Sequence, residues 1–150
     1  MNYLRQFLQV LTALSFLAIA APALAEDFGI NNPDPLLSDR NTLINAVINT
    51  EAVQNLARKW NQPVAIPSFR DSVVNTWAWV QAEPESADGR LNAGRMRGVM
   101  HRTQGQWKIV EWVGSDVADA QDPQKAFQDW CGRFRQAHPA CPEEIFPSHW

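Results

Sequence analysis

Five residues in two nearby stretches pose the first chemical question. Trp77 and Trp79 stand two apart in VVNTWAWVQ, and Arg95, Arg97 and His101 stand at even spacings in RMRGVMH. Side chains alternate across a strand, so each set shares one face. Arginine stacks on indole and forks onto carboxylate or phosphate. A Trp-flanked basic face would therefore receive an acidic protein partner or an anionic small ligand. The competing reading is a solvated sheet face, with Arg stems lying over Trp rings and pairing with nearby carboxylates. Arg90 to Lys108 carries five basic residues and no acidic one, in a chain of net charge −3. The positive patch is local, and the overall charge argues against nucleic acid, which demands a broadly basic surface.

The catalytic inventory is thin. His101, His138 and His149 have no nucleophile motif or metal spacing beside them, and the chain holds no G-x-S-x-G, H-E-x-x-H or P-loop. Glu51, Glu83, Glu85, Glu111 and Asp71 could supply an acid–base pair, but spacing alone joins no two of them. Asp116, Asp119 and Asp122 recur every three residues, which invites Ca²⁺. They lack the glycine of a calcium loop, and turn formation and helix capping explain them better. No catalytic residue, cofactor or metal is assigned. The leading expectation is a non-catalytic binding or accessory domain that meets a protein partner through Trp77, Trp79, Arg95, Arg97 and His101. One alternative is a small-molecule cavity lined by Met96, Met100, Trp107 or Trp112, and another is a small hydrolase or isomerase.

The N-terminus bears on where such a partner would be met. Arg5 precedes an apolar run from Phe7 to Ala21, Pro22 breaks the run, and Ala23-Leu24-Ala25 makes a small-x-small site before Glu26. This is the pattern of a cleaved secretory signal over 1–25. The run is short for a membrane span, and no other apolar run is long enough for one. The destination is the periplasm or the exterior, or a thylakoid lumen in a photosynthetic source. Removing 25 of the 150 residues leaves 125, enough for one domain with its own core. Arg5 leaves too, so twelve basic residues face sixteen acidic ones. Cys131 and Cys141 both lie in the exported part, and an even count at close spacing in an oxidising compartment predicts one disulfide.

The elements that must position these residues follow from periodicity. Residues 26–37 read as an extended leader with Asn-Pro and Asp-Pro turns, and 38–150 as a single domain. Ser38 or Asp39 caps a helix bearing Leu43, Ile44, Val47 and Ile48. Thr50 caps a second one that ends before Pro63. Val64-Ala65-Ile66-Pro67 is a short edge strand or a loop. Three strands follow, over 73–83, 91–102 and 107–113, joined by Asp88-Gly89 and by Thr103-Gln104-Gly105-Gln106, and they form an antiparallel meander. Asp122-Pro123 opens a last helix with the stripe Ala126, Phe127, Trp130, Cys131, Phe134 and Ala137. The tail carries Ile145, Phe146 and Trp150 and is expected to dock. The fold class is α+β, with N-terminal helices and one C-terminal helix packed on one face of a three- to four-stranded sheet. The closing run GQWKIVEWVGS resembles the final strands of NTF2-like and related cone-shaped domains over roughly 40 residues, without a diagnostic motif, so no functional residue is carried across.

Overall fold

A computed structural model of the chain describes residues 35–150. The expected signal and most of the leader lie outside the described residues. Helix α1 (Pro35–Ile48) begins at its proline, earlier than Ser38, because proline suits the first turn of a helix. Leu43 and Val47, one turn apart, are fully buried. Helix α2 (Glu51–Trp60) follows at once. Thr50 sits at its N-cap, but its hydroxyl donates to the Val47 carbonyl at 2.7 Å instead of accepting from α2. Asn61 ends α2 in the left-handed conformation, φ 53°.

Four strands form an antiparallel meander in the order β1 (Val64–Val74), β2 (Trp77–Ser86), β3 (Met96–Thr103) and β4 (Gln106–Trp112). The strand expected over 73–83 is in fact two strands. Asn75 adopts φ 57°, and Asn75-Thr76 turns the chain so that Val74 pairs with Trp77. Asparagine tolerates that backbone, so the turn forms without glycine. The region read as a short edge strand or a loop is therefore a long edge strand. Pro67 falls at an irregularity in register between Ala65 and Ser68, where no ladder bond is required of it. The β3–β4 turn has positive φ at both Gln104 and Gly105, as a two-residue hairpin requires.

The helices do not share one face. Leu43 and Val47 of α1 and Val53 of α2 cluster with Phe69, Ala78, Val80, Ala82, Met100 and Trp107 on one side of the sheet. On the other side, Trp77, Trp79 and Val99 cluster with Phe127, Trp130 and Phe134 of α4 (Pro123–Ala137), with Val117 of the short helix α3 (Ser115–Ala118), and with Cys141 and Ile145. Every residue of β2 from Trp77 to Val80 is consequently buried. Asp122 caps α4 by accepting from the Lys125 amide at 3.0 Å.

A bulge between Val99 and Met100 sets the phase of β4. It lets Trp107, Ile109 and Trp112 all pack toward the α1/α2 side while Val110 packs toward α4. Gly98 makes this possible. A Cβ there would meet Trp112 Cε3 at 2.6 Å and the Glu111 carbonyl at 2.7 Å. Gly98→Ala is expected to cost about 1–3 kcal/mol through overpacking, read as a lower urea midpoint. An unchanged midpoint would mean that Trp112 moves aside freely.

The expected disulfide is absent. Cys131 and Cys141 are both free thiols. The tail does return along α4, but burial of Ile145 and an Arg135–Glu143 ion pair at 2.7 Å hold it in place of a sulfur bridge.

Candidate functional site

The hairpin register brings arginines from two strands to one line. Arg70 of β1 pairs with Gln81 of β2, and Gln81 pairs with Arg97 of β3. Partners across antiparallel strands share a face, so all three side chains project toward the α4 side. The neighbouring line, Ser72–Trp79–Val99, lies closer to the middle of that side. The tail crosses above. Between sheet and tail runs a groove of about 370 Å³, floored by Trp79 and Gln81, edged by Arg70, Arg95 and Arg97, and roofed by residues 145–150. Asp71 is the one acidic side chain in its lining.

Each arginine is held differently. Arg95 donates from Nε to Glu83 at 2.8 Å, as a half-exposed ion pair. Arg97 donates from Nε to Gln81 Oε1 at 3.2 Å, and its guanidinium carbon lies 3.9 Å from the centre of the Trp150 ring. Burial, followed by the positive charge of Arg95, lowers the Arg97 pKa from the ordinary guanidinium value, while Glu83 opposes the change. Arg97 stays charged nonetheless, since guanidinium does not lose its proton in proteins. It is a cation short of solvent and pressed by a like charge, with a neutral amide as its hydrogen-bond partner. Arg70 is exposed and forms no ion pair among the described residues. An anion entering the groove would offset the burial of Arg97 and meet an unpaired Arg70 beside it.

The five residues singled out from the sequence divide. Trp79, Arg95 and Arg97 meet in the groove. His101 lies four residues beyond Arg97, about 13 Å at the usual strand rise, and Trp77 two residues before Trp79, about 7 Å. There they pair across the sheet and stack on each other, with ring centroids 4.1 Å apart. The His101 ring nitrogen Nε2 lies 3.2 Å from the Thr76 hydroxyl. The tryptophans are not an open contact surface. Trp77 is 7 % exposed and Trp79 5 %, because α4 and the tail cover their face. Among the described residues no carboxylate forms an ion pair with His101. Of the residues suggested for a small-molecule cavity, Trp107 lines a cleft of about 410 Å³ between α1 and β4, and Met96 and Trp112 line one of about 210 Å³ beside Trp150. Met100 and Trp107 are core residues packed with α1, and Met96 and Trp112 pack against that core.

Comparison of the chain with protein-family models, with curated proteins and with solved structures gives no match.

Arg70 was invisible as a site residue because β1 was not recognised as a full strand. The alternation Ser68, Arg70, Ser72, Val74, ending on Asn75, was the signal that could have found it. Trp150 was recognised as a docking residue but not as a neighbour of Arg97. Among the described residues, no group of His, Cys, Asp or Glu is arranged to hold a metal, and no helix is long and apolar enough to cross a membrane.

Proposed function

We propose that this chain is an exported binding module that receives an acidic segment of a protein partner in the groove of Arg70, Arg95 and Arg97. The observation that carries the reading is the Arg70–Gln81–Arg97 line. It joins an unpaired exposed cation and a part-desolvated one across three strands, in a groove with a single acidic side chain. Support for export is the N-terminal pattern of charge, apolar run and small-x-small site. The partner would then be met in the periplasm or outside the cell. No reaction is assigned, because the groove pairs no nucleophile with a base.

Charge reversal tests the reading. Arg70→Glu is exposed and should leave the fold intact. At low salt it is expected to weaken binding of a synthetic oligoglutamate peptide about tenfold, the worth of one charge-assisted contact. Raising the salt should shrink that difference, since Arg70 is open to screening. Fluorescence anisotropy with the labelled peptide gives both numbers. Equal affinities for the two proteins at low salt would remove the groove as the contact site.

A further inference from the structure

Taking the groove as the contact site, we infer that the acidic segment it receives carries an aromatic side chain, and that this ring replaces Trp150 on Arg97. The inference rests on the reading above and narrows its partner.

The chain already shows what Arg97 accepts on its open face. An indole lies 3.9 Å from the guanidinium carbon, close enough for a strong cation–π contact. That indole belongs to the least anchored part of the tail. Ile145 is 1 % exposed, and Phe146 meets Trp79, Trp130 and Phe134. Beyond them Pro147, Ser148 and His149 are exposed. Besides Arg97, contacts with Gln124 and Phe127 fasten this stretch. The Trp150 amide donates to Gln124 Oε1 at 2.7 Å, Gln124 Nε2 donates to the Ser148 carbonyl at 3.4 Å, and the Trp150 ring tilts against Phe127 at 4.9 Å.

Trp150 is also a partition. With Arg95 and Arg97 it lines both the groove and a second cavity of about 210 Å³, whose wall includes Met96 and Trp112. Swinging the indole out would join the two into one trough with arginines along it and apolar ground at one end. With the indole swung out, an acidic segment alone would pair with Arg70 and Arg97 but leave the face of Arg97 without a ring and Met96 and Trp112 open to water. A segment with one aromatic residue beside its carboxylates matches every part of the trough. Trp150 is then an internal competitor for that ring.

Competition gives a signed test. Two synthetic acidic peptides of equal length, one with a central tryptophan and one with alanine there, are titrated calorimetrically into the full chain. The unmodified chain is expected to bind the tryptophan peptide about fivefold more tightly than the alanine peptide. Trp150→Ala is expected to tighten the tryptophan peptide about tenfold, the scale of a part-buried cation–π contact. Gln124→Ala, which loosens the tip without touching the arginines, should move affinity the same way by about threefold. Arg97→Gln should abolish the preference between peptides. The inference is overturned if Trp150→Ala weakens the tryptophan peptide or leaves it unchanged, or if the unmodified chain does not distinguish the peptides. If Arg70→Glu affects neither peptide, the groove itself is wrong as the contact site, a result distinct from failure of the displacement.

Discussion

Trp79→Ala is expected to lower folding stability by about 3–5 kcal/mol, the range for removing a large buried aromatic. The ring is 5 % exposed and sits against Phe127, Trp130 and Phe146 at centroid distances of 5.4, 6.2 and 5.9 Å. It bridges sheet, helix α4 and tail at once, so its loss leaves a cavity that three elements would have to collapse into. A domain of this size has roughly 5–15 kcal/mol in total, so the variant should lose a large share of its stability. Urea denaturation of the variant beside the unmodified chain gives the number. A tryptophan on an open contact surface would behave otherwise, with a change within about 0.5 kcal/mol and a loss of binding instead. That outcome would return Trp79 to the surface and remove α4 from its face.

The two thiols should resist alkylation in the folded chain by two to three orders of magnitude at pH 8. Burial pushes the Cys131 thiol up to about 12 and the Cys141 thiol up to about 11, from an ordinary value of 9.0, with the Arg135 charge opposing both. The thiolate is the reactive form, so each unit of increase removes about nine-tenths of it. Iodoacetamide labelling followed by mass spectrometry, with and without urea, compares the rates. Similar rates in both conditions would refute the burial of these groups. The same shifts set an alkaline limit on stability. Below about pH 9 both states hold the thiol protons, and the thiols contribute no pH dependence. Between about 9 and 12 the unfolded chain releases protons that the folded chain retains, so stability falls as pH rises through that window. Replacing both cysteines by alanine should flatten this part of the profile.

Much of the fold was legible because its signals are local. Asp122 and Pro123 mark the start of α4, Gln104-Gly105 marks one hairpin, and the stripe Phe127, Trp130, Phe134 marks the buried side of a helix. What the sequence concealed was non-local or unusual in its chemistry. Asn75-Thr76 is a two-residue turn without glycine, so β1 and the start of β2 read as a single strand. The strand Trp77-Ala78-Trp79-Val80 is apolar on both faces, which alternation alone cannot distinguish from a strand with one wet side. The site suffered accordingly. Strand parity brings Arg95, Arg97 and Trp79 together, whereas Arg70 depends on the missed hairpin and Trp150 on where the stretch after α4 returns to Gln124. The disulfide was inferred from compartment and count, and neither reports the geometry that a sulfur bridge needs.

The strand order has a consequence for how the chain acquires its structure. Each strand pairs with its neighbour in sequence, so the sheet can zip up hairpin by hairpin with low contact order, against α1 and α2 already at hand. The cover for Trp77 and Trp79 comes from residues 117–150, which emerge after all four strands. Until then the growing domain displays a bare aromatic sheet face, the kind of transient surface that recruits chaperones or self-associates. A chain ending before Pro123 should therefore be a sticky half-sandwich, soluble only with help, although its sheet is complete.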